Sequence, residues 1–86
     1  MPSPQAYDPV LTRKPAAFLA SLSKAKLKKV IALAFQLARQ PTPIGDYATP
    51  DAARRRLENI LLGEWHFTFW TDHEVREFRV TDIAEV

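Results

Sequence analysis

The sequence predicts an α+β domain, with an N-terminal helical hairpin packed on one face of a small, mainly antiparallel sheet. Three observations lead there. Leu27, Val30, Ile31, Ala34, Leu37 and Ala38 recur at helical spacing in the first half of the chain. Trp65-His66-Phe67-Thr68-Phe69-Trp70 alternates bulky, β-favouring residues in the second half. The two helical segments of the first half are so nearly contiguous that they must fold back on each other, and neither buries its apolar stripe without a sheet to pack on.

The elements follow in order. Residues 1–5 hold two prolines and no periodicity, and read as a loose end. Tyr7 to Leu11 suits a short strand, which Pro9 restricts to an edge. Thr12 is placed to cap a first helix that tolerates Pro15 in its first turn and turns Phe18, Leu19 and Leu22 inward. Ser23 caps a second helix running to Gln40, where Pro41 and Pro43 stop it. Its outer face carries Lys28, Lys29, Gln36 and Arg39. Pro41 to Pro50 reads as a loop. Asp51 to Leu62 satisfies both a helix, through Leu57, Ile60 and Leu61, and a strand leading to a Gly63-Glu64 turn. Trp65 to Thr71 is a strand, Asp72 to Glu74 a turn, and Val75 to Ile83 a last strand with Phe78 and Val80 on one face.

Size and composition bound the rest. Eighty-six residues make a single domain, 1–86, and 47% hydrophobic residues exclude disorder throughout. The absence of cysteine excludes disulfides and thiolate metal sites and fits a reducing compartment. The longest apolar run, Val30 to Phe35, is too short to span a bilayer, and the N-terminus lacks the layout of a secretory signal. The expectation is a soluble, cytoplasmic protein with no membrane partner. The formal charge of +2 conceals a division, because seven of the first forty residues are basic and one acidic, whereas the last forty-six hold five basic and nine acidic. Four lysines, Lys24, Lys26, Lys28 and Lys29, lie within six residues. Such a cluster serves either as a grip on nucleic-acid phosphates or as a solvated helix face.

Several blocks together resemble the RelE/ParE superfamily, the toxin halves of bacterial type II toxin–antitoxin pairs. They are Phe18-Leu19-Ala20-Ser21-Leu22 entering the Lys-rich helix, Ile44-Gly45-Asp46-Tyr47, Arg55 with Leu57-Glu58, Phe69-Trp70-Thr71-Asp72-His73, and Val75-Arg76-Glu77-Phe78-Arg79-Val80. The last two are similar to the "YW-x-D" and "EVRI" ends common in that group, and the resemblance runs from about Lys14 to Val86. It implies a β-α-α-β-β-β order with a strand from about Arg56 to Leu62. It also implies a toxin neutralised by a cognate antitoxin in a hetero-oligomer, with no cofactor, whose target is mRNA on the ribosome or a topoisomerase such as DNA gyrase. A decayed member would keep only partner binding.

In the nuclease subgroup the 2′-hydroxyl attacks its own phosphate, which needs a base, an acid and cations on the pentavalent phosphate. By that analogy His66, Arg55 and Arg79 are the candidate catalytic residues. Arg56, Arg76, Lys24, Lys28 and Lys29 are candidate phosphate contacts. The bland alternative pairs His66 and the strand arginines with Glu58, Glu74 and Glu77 across the sheet. Tyr47, Trp65 and Trp70 are candidates for base stacking as well as for the core. His66 and His73 are two lone histidines without a third ligand, and do not make a metal site. The chain departs from the nuclease pattern in three places. His66 stands where that subgroup often has a strand Arg, and Arg54 replaces the glycine before Arg55. The end, Thr81-Asp82-Ile83-Ala84-Glu85, is acidic where the subgroup is basic. These departures weigh against RNA cleavage and leave the fold expectation intact.

Overall fold

A computed structural model describes residues 7–39, 45–51 and 53–86. The expected loose end at residues 1–5, together with Gln40, Pro41, Pro43 and Ile44, lies outside them. Strand β1 (Asp8–Leu11) leads into helix α1 (Arg13–Ala20) and, after a turn, helix α2 (Lys24–Ala38). Strands β2 (Tyr47–Pro50), β3 (Arg56–Leu62), β4 (Trp65–Asp72) and β5 (Glu77–Glu85) follow. The described residues form one five-stranded sheet in the order β1-β5-β4-β3-β2. β1 lies parallel to β5, and every other pairing is antiparallel.

Local chemistry accounts for most of the boundaries. Ser23 caps α2 by accepting the N–H of Lys26 at 3.4 Å. Thr12 occupies the N-cap of α1, but its hydroxyl donates to the Val80 carbonyl at 3.4 Å instead of capping, tying β1 to β5. Gly63 takes a φ of 61° in the two-residue β3–β4 turn, a conformation that costs an L side chain energy. Arg54 (φ 63°) and Arg76 (φ 55°) hold left-handed positions in the two other hairpin turns without being glycine.

Two boundaries differ from the sequence expectation, and one ambiguity is resolved. Tyr47–Pro50 is a strand rather than the end of a loop, because its backbone pairs with Arg56–Asn59. The segment that read equally as helix or strand is a strand from Arg56 to Leu62, as the family resemblance implies. The last strand starts at Glu77 rather than Val75, so Arg76 belongs to the preceding turn.

The core lies between the helices and one face of the sheet. Val30, Ala34, Leu37 and Ala38 of α2 and Leu19 of α1 meet Trp65, Phe67, Phe69, Phe78, Val80 and Ile83. Phe78 and Val80 are two apart, as alternation demands, but Ile83 is three beyond Val80. A bulge resolves the mismatch. Thr68 pairs with Asp82 and Phe69 with Val80, leaving Thr81 as the extra residue, and its hydroxyl donates to the Thr68 carbonyl at 3.3 Å. Each large side chain buried here contributes about 1.5–3 kcal/mol. Among the described residues the Trp65 indole N–H, buried in this core, has no acceptor. Ile31, expected inside, is 40% exposed, because it sits on the flank of the α2 stripe beside Phe35, itself 50% exposed.

The acidic end of β5 folds against the basic helices. Lys14 Nζ lies 3.2 Å from Asp82 Oδ2, and Lys26 Nζ lies 3.0 Å from Glu85 Oε2. Both pairs are solvent-exposed and add at most about 1 kcal/mol each. Their larger effect is that the charge division seen along the sequence is partly cancelled in space.

Candidate functional site

The face of the sheet turned away from the helices carries the candidate site, and alternation along β4 places His66, Thr68 and Trp70 there. A chain of buried polar groups crosses its middle. Thr68 Oγ1 donates to Asn59 Oδ1 at 2.9 Å, and Asn59 Nδ2 donates to Thr49 Oγ1 at 3.1 Å. Asn59 is only 3% exposed, so this chain ties the short edge strand β2 to the centre of the sheet.

At one end of that chain stands an aromatic pair. The Tyr47 hydroxyl is 3.2 Å from His66 Nε2, and the two rings are nearly parallel, 12° apart. Exposed Leu61 lies opposite His66 on β3. Tyr47 was not singled out in the sequence as a partner of His66. Nothing local signals it, since the two are nineteen positions apart and meet only because β2 pairs with β3 and β3 with β4.

At the other end stands Trp70. The Arg55 guanidinium carbon is 4.4 Å from its ring centroid and that of Arg79 is 5.7 Å away. Arg55 is held by Asp51, whose Oδ2 accepts Arg55 Nε at 2.9 Å. Asp51 Oδ1 accepts the N–H groups of Arg55 at 2.7 Å and Ala53 at 2.8 Å. The Arg55 N–H first, and then the Arg55 side chain and the Ala53 N–H, hold the Asp51 carboxyl below its usual range against the smaller opposing effect of desolvation. Arg79 is paired with Glu77 at 2.8 Å, and its Nε is buried without a partner among the described residues. A concavity of about 280 Å³ lies beside this corner, lined by Ala48, Thr49, Pro50 and the run Arg54, Arg55 and Arg56.

The structure does not gather the predicted site residues into one centre. Four steps of strand separate His66 from Trp70, about 13 Å at the usual rise, so His66 stands apart from Arg55 and Arg79. Arg56 is paired with Glu58 at 2.7 Å. Glu58 lies opposite Phe69, on the helix side of the sheet. Partial burial pushes the Glu58 carboxyl up, but the Arg56 side chain and the Gly45 N–H together hold it below its usual range. Arg76 sits in the β4–β5 turn. Lys24, Lys28 and Lys29 are exposed on α2, across the sheet from His66. The expected carboxylate partners are also rearranged. Arg56–Glu58 and Arg79–Glu77 run along a strand rather than across it, and His66 takes a tyrosine instead of a glutamate. Trp70 is capped by arginine, so a base could stack on it only by displacing that cation. His73 accepts or donates a 2.8 Å hydrogen bond with Tyr7 at the far corner, and no cluster of metal-ligating residues occurs among the described residues.

No protein-family model and no curated protein sequence matches the chain. Solved structures do. A chain of the toxin–antitoxin complex RelBE2 from Mycobacterium tuberculosis superposes with a TM-score of 0.72 at 20% identity, covering 94% of this chain and 99% of the other. A chain of the archaeal RelE-RelB complex from Pyrococcus horikoshii superposes with a TM-score of 0.68 at 14% identity, covering 93% and 94%. The chain has the RelE-type fold. The RelE-type architecture expected from the residue blocks is therefore borne out, with one strand more than the β-α-α-β-β-β order contained. No helix among the described residues is long and apolar enough to cross a membrane.

Proposed function

We propose that the chain is the toxin component of a type II toxin–antitoxin pair. It acts in the cytoplasm and is held inactive by a cognate antitoxin in a hetero-oligomer. The observation that carries this reading is the end-to-end superposition on a chain from a toxin–antitoxin complex, covering 94% of this chain and 99% of that one. Its inhibitory step is binding to a target rather than cleavage of RNA, with DNA gyrase as the alternative to a ribosomal target. Three features support that choice. The single histidine of the open face stands apart from the arginines that would have to stabilise a phosphorane. Arg55, Arg56 and Arg79 are each neutralised by a neighbouring carboxylate. The end of β5 is acidic, and Asp82 and Glu85 are spent on Lys14 and Lys26.

Expression of the chain alone is expected to arrest growth, and co-expression of its cognate antitoxin to relieve it. His66→Ala is expected to leave the arrest intact, and RNA from arrested cells to lack new 5′ ends. If His66→Ala or Arg79→Ala abolishes the arrest while the protein remains folded, and discrete mRNA cuts vanish with it, the chain is a metal-free mRNA endonuclease instead. No arrest under any condition makes it a member that retains partner binding alone.

A further inference from the structure

We infer that the hollow at the β2–β3 corner binds one phosphate dianion, carried by inorganic phosphate or by a small phosphate monoester, with Arg54 and Thr49 as its principal contacts. The hollow, of about 280 Å³, is lined by Ala48, Thr49, Pro50, Arg54, Arg55 and Arg56. In regular extended chain, successive side chains alternate sides, so three adjacent arginines would not share one wall. Arg54 takes a φ of 63°, and this left-handed residue breaks the alternation, so that all three line the hollow. The turn is fixed from within. Arg54 N–H donates to the Asp51 carbonyl and Asp51 N–H to the Arg55 carbonyl, each at 3.0 Å. Asp51 Oδ1 accepts the N–H groups of Ala53 and Arg55. A positive φ is unfavourable for arginine, and it persists because these bonds over-determine it.

The neutral donor comes from the buried polar chain. The Tyr47 carbonyl can only accept, and Asn59 Nδ2 lies 3.5 Å from it, which sets the orientation of the amide. Nδ2 therefore donates to Thr49 Oγ1 as well, and Oδ1 accepts from Thr68. Thr49 Oγ1, having accepted from Asn59, keeps its own hydrogen, for which no acceptor occurs among the described residues. Half-buried Thr49 lines the hollow, so its O–H is available to donate into it.

Charge selects a single small anion. Asp51 and Glu58 engage only the Nε groups of Arg55 and Arg56. Among the described residues, the Nη groups of both, and the whole Arg54 guanidinium, have no hydrogen-bond partner. Three arginines against two carboxylates leave the corner with one net positive charge. That charge, with several unused N–H donors, suits one compact phosphate whose oxygens accept from the guanidinium fork and the Thr49 hydroxyl. It does not suit the successive phosphates of a nucleic-acid strand, which need a cation at each step. Arg55 is already held by Asp51 and against the Trp70 ring, so part of the donor set is preorganised.

The full chain is titrated at constant ionic strength with inorganic phosphate and with glycerol phosphate, and followed by backbone-amide and guanidinium NMR shifts. Saturation with a Kd of about 1–10 mM is expected, with shifts centred on Thr49, Arg54 and Arg55. Arg54→Gly keeps the left-handed turn but removes the guanidinium, and should weaken binding about tenfold with the fold intact. Thr49→Val should weaken it about threefold, whereas Thr49→Ser, which keeps the hydroxyl, should retain it. Shifts that follow ionic strength alone, equal affinity for chloride, or undiminished binding by Arg54→Gly would each overturn the site. So would tighter binding of an RNA tetranucleotide lacking terminal phosphates than of glycerol phosphate, which would give the hollow to a nucleic-acid strand. Growth arrest or its absence does not bear on this site, which stands on the geometry of the corner alone.

Discussion

The two faces of the sheet are built from the same alternating strands and are held by different physics. On the helix side, Trp65, Phe67, Phe69, Phe78, Val80 and Ile83 are removed from water by apolar contact, which is non-directional and tolerant of detail. On the open side, order comes from directional pairs: Thr68–Asn59–Thr49, Tyr47–His66, and Asp51–Arg55 over Trp70. The first face is sustained by what its side chains are. The second is sustained by where distant residues are brought, and each pair adds little on its own.

Neighbouring substitutions on β4 break the comparison most directly. Phe67→Ala should cost about 3–5 kcal/mol by urea titration. His66→Ala, one residue away and facing outward, should cost no more than about 1 kcal/mol. Equal losses would mean that the open face is structural rather than available for recognition.

Asn59 differs from the rest of the open side in being buried, with Thr68, and bonded to two threonines. Asn59→Leu leaves the Thr68 and Thr49 hydroxyls without their partner and should cost about 1–3 kcal/mol, with β2 amides losing hydrogen-exchange protection first. Gly45 probes the same residue through its backbone. A Cβ at Gly45 would lie within 2.7 Å of three backbone atoms of Asn59. Gly45→Ala should therefore destabilise by about 1–3 kcal/mol and loosen the same strand.

Acid sharpens the comparison between the two carboxylates at this corner. Asp51 on the open side and Glu58 on the covered side are both held below their usual range. The stability they contribute is complete above the unfolded values, near pH 4, and is lost as pH falls through the lower folded values. Thermal unfolding followed from pH 5 to pH 2 should show that decline, and Asp51→Asn should make it shallower. The smallest effect belongs to Trp65→Phe, which removes a buried indole N–H lacking an acceptor but leaves a small void. The two oppose each other, so stability should change by less than about 1 kcal/mol.

The helix stripe, the strand carrying three aromatics inward and the Ser23 cap were legible from residue spacing, because each depends on neighbours within a few positions. Strand β2 was not. Tyr47-Ala48-Thr49 is short, follows a proline-rich stretch and ends in Pro50, and it becomes a strand only because Arg56–Asn59 offers a ladder. The extra residue at Thr81 was equally hidden, since a bulge is defined by the partner strand it fails to match. The proposed site residues illustrate the same limit. Spacing placed His66 and Trp70 on one face, but the neighbours that flank each of them, Tyr47 beside His66 and Arg55 and Arg79 over Trp70, depend on which strands lie side by side.

By itself the sequence determined the α+β class, the helix that carries the lysines, and the face of β4 that is buried, because periodicity and side-chain volume act locally. Only the tertiary structure decided where the charges ended up. Asp82 and Glu85 meet Lys14 and Lys26 across more than fifty positions of chain, while Lys24 and Lys28 make no ion pair among the described residues. Electrostatic attraction depends on distance in space, and a linear count of charges holds no information about that.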